Sequence, residues 1–502
     1  MLPFSFDDDF FRLVQSPSSL WEVSNLRIDK SAFYPHIYKF LVENTECKNT
    51  QNINNCTVFS LKDTLDHIPC AEDKSIAKLF SKTDLETEVK TNDSDKRKVS
   101  FRLLNEKSKL FSPKLLVYPL ANIGILMISV ELTGKQSTLN DLMDLNYKLQ
   151  RINTSQSPIN IVLPENAHAE RVKGAEKVYK SLVKYEFKEH KIKKDEDCKN
   201  WYLHNLLAFL LFDSEKNKVT VDPFNGSSLH VFTYLQINSQ EHSGSENQQD
   251  KDELKKDFIR IARCQNRNYK ILPKDMENNA VFMQTFENIY IASCVEGACM
   301  MVDSPDNNSE FINDFKNASF VSRYLWIYLL VYLQRYTLIQ LTKKLLDIDM
   351  NAAVDSKEDL GDLVKKLAKI KISSHFADIS DHTQHNIFYK FYSGKLFVKD
   401  QLDVVRDKIG DVDLILRSLI EEEEKKRSRR LEWILKALMM PGLFFSVVAF
   451  YSLAHLTVIR WIPITFVVLM IILLWLVFSD AFKDSKRRKK RELEKLKKKL
   501  HK

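Results

Sequence analysis

The longest apolar run in the chain is residues 437–479, in which only His455 and Arg460 can carry positive charge. A membrane-crossing helix needs about 20 apolar residues. The run therefore predicts two spans, 437–459 and a second ending at Ser479, joined by the turn Arg460-Trp461-Ile462-Pro463. Arg460 and Trp461 suit a membrane–water interface, where Arg snorkels and Trp joins the aromatic belt. A buried helical hairpin is the alternative, but the run is longer than ordinary core helices. Basic clusters flank it on both sides, 425–430 before and 486–491 after. Both flanks are then expected on the cytoplasmic side.

Upstream, Val398, Leu402, Val405, Ile409, Val412, Leu416 and Leu419 are spaced alternately four and three apart. That is a heptad stripe over three repeats. No proline interrupts the chain before Pro441, so one helix is predicted from about 396 to 459. Such a seam needs a cover. Partner subunits are one cover and predict an oligomer; helices of the same chain are the other.

The first 300 residues alternate between strand-like and helical patterns. Residues 114–119 and 124–132 read as strands joined by a turn at 120–123, a hairpin. A helix follows, with Ser137 as N-cap and Leu139, Leu142, Leu145, Leu149 and Ile152 on its apolar face. Residues 229–237 read as a strand and 288–303 as a hairpin turning near 295–298. Residues 91–98, 188–199 and 238–256 are polar and charged and read as exposed loops or disorder. Beyond 311 the pattern turns helical. The ten apolar residues 324–333 are too few to span a membrane and predict a buried core helix.

The expected fold class is an α+β membrane protein: a cytosolic α/β domain, a long helical stalk and a C-terminal two-helix transmembrane hairpin. The expected boundaries are 1–305 for a sensor-like α/β domain, 306–395 helical, 396–436 stalk, 437–480 hairpin and 481–502 basic tail.

Charge changes the picture little. The net charge is +8 over 502 residues. The last twenty carry +9, so the remaining 482 carry −1. The basic character belongs to a tail, which weighs against direct nucleic-acid binding on a folded face. Ten glycines make up about 2% of the chain, against a usual ~7%. Neither GxGxxG nor GxxxxGK(S/T) occurs, nor GxSxG or HExxH. The expectation is therefore not an enzyme. Seven cysteines at irregular spacing, with no CxxC, point to free thiols in a reducing compartment. The acidic, Lys- and Arg-free first eleven residues do not read as a signal peptide.

Four groups of residues are candidates for function. Asp400, Asp403, Asp407 and Asp411 form a row that could hold a hard divalent cation such as Mg²⁺ across subunits, or be a solvated face. His375, Asp378, Asp381, His382 and His385 have metal-ligand chemistry, and also read as a helix–helix connection. Gly442, Ser446, Ala449 and Leu453 share a helix face suited to close helix contact or a narrow pore, with His455 as a polar group beyond. Tyr147, Lys148 and Arg151, near the end of the helix after Ser137, are basic and aromatic groups suited to an anionic ligand, or a solvated helix end.

The order of parts resembles the CorA family of divalent-cation channels, most closely over 320–502. That stretch includes YLWIYLLVYLQRYTLIQL, HFADISDHTQHNIFYKF and the apolar hairpin. The resemblance implies a homo-oligomer, a pentamer, in the inner membrane with both termini cytoplasmic and lipid as partner. The family's Gly-Met-Asn motif is absent, and the corresponding region reads Tyr451-Ser452-Leu453-Ala454-His455-Leu456-Thr457. This departs from a Mg²⁺ transporter and looks like the divergent CorA-like membrane effectors of type III CRISPR systems. That resemblance implies a channel gated by a cytosolic nucleotide second messenger in antiviral defence. A divalent-cation transporter and a non-conducting membrane-tethered scaffold are the alternatives.

Overall fold

The computed structural model describes residues 1–15, 21–24, 28–42, 56–61, 84–90, 96–103, 113–133, 138–151, 160–162, 200–202, 221–224, 228–237, 248–277, 280–303, 315–346, 364–365, 368–370 and 376–454. The chain divides into two compact units, Met1–Leu416 and Arg417–Lys502.

Among the described residues, fifteen strands of the first unit form four sheets. The largest is wholly antiparallel. Its order is β11 (Val221–Pro223), β1 (Leu2–Phe6), β7 (Ile123–Met127), β6 (Lys114–Tyr118), β3 (Thr57–Leu61) and β2 (Trp21–Val23). β1, β6 and β7 are buried at every position, as central strands covered on both faces are. The β6–β7 turn closes through Asn122, whose amide donates to Pro119 O at 3.1 Å. Asn122 adopts φ 60°, a left-handed conformation that asparagine tolerates well.

A second sheet orders β12 (Val231–Ile237), β15 (Gly297–Asp303), β14 (Ile289–Ser293) and β13 (Phe282–Phe286). β12 and β15 are parallel and the rest antiparallel. Gly297 starts β15 where a Cβ would stand 2.7 Å from Val231 O and 2.8 Å from Ala262 O, so only glycine admits this backbone approach. The smaller sheets are β4 (Asp84–Lys90), β5 (Lys96–Leu103) and β8 (Val130–Leu132), and the pair β9 (Asn160–Val162) and β10 (Asn200–Tyr202).

Seven α-helices complete the described residues: α1 (Asp8–Val14), α2 (Pro35–Val42), α3 (Leu139–Gln150), α4 (Gln248–Ala262), α5 (Leu325–Leu346), α6 (Thr383–Lys395) and α7 (Val398–Ala454). α3 opens on a capping box. The Asp141 amide donates to the Thr138 hydroxyl, and the Thr138 amide donates to the Asp141 carboxylate at 2.8 Å. The cap is Thr138 rather than the expected Ser137, which lies outside the described residues. α5 is buried nearly all round, as its ten-residue apolar run predicts. It is the axis of the main core, which also takes in β6, β7, β14, β15, α2 and α6.

Several expectations need correction. The strand read over 124–132 ends at Met127, and Val130–Leu132 form a separate strand, β8, paired with β5. Lys96–Lys98, read as loop, begin β5, and residues 248–256, read as an exposed loop, begin α4. In α4, Phe258, Ile259, Ile261 and Ala262 bury one end against the second sheet. That packing overrides the polar start of the helix.

The stalk seam is covered within the first unit. Val398, Leu402, Val405 and Val412 are buried in the main core, and Ile409 packs against it. The same chain is thus the cover over these turns.

The membrane part of the expected fold class is overturned. Among the described residues no helix is long and apolar enough to cross a membrane. The expected first span is described through Ala454, as the end of α7. The described part of that span, residues 437–454, carries Pro441, Gly442, Ser446 and Ser452. The membrane-protein, transmembrane-helix and ion-channel expectations, and the inner-membrane location, fall with it. The chain is a mixed α+β protein. The second span and the basic tail lie outside the described residues.

Candidate ligand-binding site

The first unit holds a cavity of about 410 Å³. α3 supplies Leu142, Leu145, Asn146 and Leu149. β12 and its approach supply residues 229–236. The helical segment 315–329 supplies Lys316, Phe320, Trp326 and Leu329, and the β6–β8 region supplies Lys114, Met127 and Glu131. The volume lies in the usual range for small-molecule pockets, as does the apolar majority of the wall.

The capping box sets the direction of α3, and Leu142, Leu145 and Leu149 then recur on one face by helical spacing. Asn146 shares that face and is buried. Its Nδ2 donates to Thr233 Oγ1 on β12 at 2.8 Å, tying α3 to the second sheet.

Lys114 opens β6 directly opposite Met127 on β7. It is only 6% exposed. Burial lowers its ammonium from the usual 10.5 to about 8. It is still the cation at neutral pH. Of the other polar wall residues, Glu131 and Gln236 are exposed and Lys316 is half-buried.

His230, on the approach to β12, is buried and fully engaged. Its Nδ1 faces Val295 O at 3.1 Å, and its Nε2 meets the Tyr328 hydroxyl. A carbonyl can only accept, so Nδ1 carries the proton and Nε2 accepts from Tyr328. Burial first, then the positive charges nearby, lower His230 to about 3. The ring stays neutral. Tyr332 lies 4.6 Å from His230, and Tyr392 lies 4.8 Å from Tyr328, centroid to centroid. This aromatic cluster ties the approach to β12 to α5 and α6.

The residues singled out in the sequence fall elsewhere. Tyr147, Lys148 and Arg151 lie on α3 or its C-cap but do not line the cavity. The Arg151 guanidinium stacks 3.8 Å from the Tyr147 ring centroid and donates to Tyr147 O and Cys264 O, both at 3.4 Å. These contacts fix the end of α3. Asp400, Asp407 and Asp411 are exposed on α7, and Asp403 pairs with Arg406 at 2.8 Å. Among the described residues no group of three or more His, Cys, Asp or Glu is placed to hold a metal ion. Asp378 pairs with Lys390 at 2.9 Å, and the buried His385 meets Ser380 Oγ at 3.2 Å. His382 is the N-cap residue of α6. His375 lies outside the described residues.

In the second unit, Gly442 and Ser446 are exposed, the Ser446 hydroxyl donating to Leu443 O at 2.7 Å. Ala449 is exposed on the same helix, which includes Leu453, and His455 lies outside the described residues.

Cys56, Cys264, Cys294 and Cys299 are free thiols. Burial pushes all four up, Cys294 to about 12, so they are protonated at neutral pH.

Sequence reasoning missed Lys114, Asn146 and Thr233. One signal was legible: a lysine heading the otherwise apolar strand KLLVY, where every alternate residue faces the core.

No family model, no curated protein and no solved structure matches the chain.

Proposed function

We propose that the Met1–Leu416 unit is a small-molecule-binding regulatory module, and that binding rather than chemistry is its task. The observation that carries this is the cavity between α3, β12 and the 315–329 segment. Its wall residues Trp326 and Leu329 belong to the same core as Val398, Leu402 and Val405 of α7. A ligand that favours one packing of α5 thereby biases the packing of the first turns of α7. That is a population shift, limited by the ligand's preference between the two packings.

The nearby histidines and thiols support binding over catalysis. His230 has both ring nitrogens engaged, and burial keeps the thiols protonated.

The output is assigned to the second unit by self-association. Leu431, Trp433, Leu435 and Leu438 are all more than half exposed there. So many large apolar side chains in the open mark an interaction surface.

Hydrogen exchange on the full chain tests the reading, with AMP and octanoate as probes. A binding probe is expected to change the protection of amides 398–412. A probe that binds with no change there would refute the coupling. Light scattering on wild type and Trp433→Glu tests the output: wild type is expected to associate and the variant to dissociate.

A further inference from the structure

Resting on the cavity as the ligand site, we propose that it takes a peptide: a short, extended, uncharged segment whose backbone adds a strand to the open edge of β12.

The first observation is the course of the cavity along that strand. Every residue of β12 from Val231 to Gln236 lines it, although neighbouring side chains point to opposite faces. A space in reach of both faces of a strand lies along its edge. β12 is the outermost strand of its sheet, with β15 on its other side. The run 126–132 lines the cavity in the same unbroken way and ends in β8, the outermost strand of the sheet it forms with β4 and β5.

The second is the direction of the backbone groups. On β15, Gly297 O accepts from Cys294 N and Asp303 N donates to Asn288 O, both at 2.8 Å, so the odd-numbered residues face β14. The even-numbered residues therefore face β12. In a parallel pair Ala298, opposite Phe232, bonds the residues on either side of it, Val231 and Thr233. The amides and carbonyls of Phe232 and Tyr234 then point away from β15. His230 already uses that edge: its amide donates to Met1 O at 2.9 Å, and its carbonyl accepts from the Met1 amine at 2.7 Å. Among the described residues this ladder stops after one rung, for Phe232 and Tyr234 have no backbone partner there. On β8, Thr133 N donates to Ser100 O at 3.1 Å, so Glu131 faces β5 while Val130 and Leu132 turn their backbone away from it. A peptide continues the ladder that Met1 begins, and main-chain hydrogen bonds of this kind are what strand addition uses. A hydrocarbon or a nucleotide base has no such repeat. Phe232 and Tyr234 are one two-residue repeat apart, about 7 Å, and four extended residues, about 13 Å, reach past both.

The third is the pair of walls. Thr233 bonds Asn146 on α3, whereas the rings of Phe232 and Tyr234 lie 5.6 and 4.5 Å from that of Phe320. The wall of Leu142, Leu145 and Leu149 and the wall of Phe320, Leu325 and Leu329 thus stand on opposite faces of β12. A strand covered by apolar groups on both faces takes apolar residues at successive positions. A charged side chain on either wall would lose its hydration unpaired.

Calorimetric titration of the full chain with acetyl-Val-Ile-Ala-Val-amide provides the test. Two isomers, N-methylated at alternate residues, each block one edge of the peptide. The isomer blocked on the edge that meets β12 is expected to bind about tenfold more weakly than the parent. Residue-resolved hydrogen exchange needs no variant: the parent peptide is expected to slow the amides of Phe232 and Tyr234, while those of Val231, Thr233 and Leu235 are protected by β15 without it. Leu142→Trp, which fills the pocket, is expected to abolish peptide binding.

Equal binding of the parent and both isomers, with no slowing at Phe232 and Tyr234, overturns the strand assignment and leaves the cavity as the ligand site. Binding of octanoate or AMP without binding of the peptide does the same. Peptide binding that survives Leu142→Trp unchanged lies elsewhere and overturns both readings, as does a failure of all three probes to bind.

Discussion

The ring of Phe4 occupies the space where residue 124 would carry its Cβ. Phe4 and Gly124 are direct partners across β1 and β7, and a Cβ on Gly124 would stand 2.2–2.8 Å from three atoms of that ring. Phe4 is completely buried and meets Phe10 edge-on at 5.4 Å, so it has nowhere to retreat. Gly124→Ala is expected to destabilise the protein by about 1–3 kcal/mol through overpacking. Urea denaturation measures it. Phe4→Leu combined with Gly124→Ala should cost less than the sum of the two single changes, because the smaller side chain frees the space. Additive costs would show that the two residues do not compete for it.

Much of the fold was legible where one period dominated. The hairpin β6–β7, strands β12, β14 and β15, the face of α3 and the buried run of α5 all carry patterns that a single environment explains. The patterns misled where two environments share one helix. In α4 a charged first half precedes Phe258 and Ile259, and only the buried end decides the element. In α7 the heptad spacing was legible but its cover was not, because periodicity says that a stripe is buried and not against what. The candidate site was the least legible part. Tyr147 and Arg151 have the composition of a ligand site, yet they serve each other. Lys114 looked like the ordinary polar end of a strand, and only the sheet register sets it beside Met127 and the cavity.

Lys114 should make stability depend on alkaline pH. Its folded value, about 8, lies below the usual 10.5, so folding disfavours the charged form. The cost is absent above 10.5, grows as pH falls to 8, and is constant below that. Relative to Lys114→Met, wild type should therefore gain up to about 3 kcal/mol between pH 8 and 10.5. The difference between the two urea curves isolates this group from the tyrosines that titrate nearby in pH. A difference flat across that window would mean that the amine is well solvated.

His230 acts at the other end of the scale. Its folded value of about 3 lies below the usual 6.5, so the neutral ring is the one that folding requires. Its contribution is complete above pH 6.5 and is lost as pH falls towards 3. His385, lowered to about 4 chiefly by burial, adds to the same acid limb. His230→Gln should be less stable than wild type at pH 7, since it breaks the bridge from Val295 to Tyr328. It should also lose less stability between pH 6.5 and 4. Parallel curves for the two proteins would exclude His230 as a source of acid sensitivity.

The first turns of α7 separate an intrachain seam from one that waits for a partner. Val405 is 0% exposed and sits in the main core, whereas Leu414, two turns on, is 65% exposed. Val405→Ala removes two buried methyl groups and should cost about 2 kcal/mol in the isolated chain, at any protein concentration. Leu414→Ala removes more carbon but little buried area, and should change stability by less than about 0.5 kcal/mol. Denaturation at two protein concentrations a hundredfold apart distinguishes the cases. If the seam at Val405 were completed by another copy, its cost would shrink with dilution, because the cover would dissociate and leave the valine exposed. A cost independent of concentration is what a valine packed on its own chain requires.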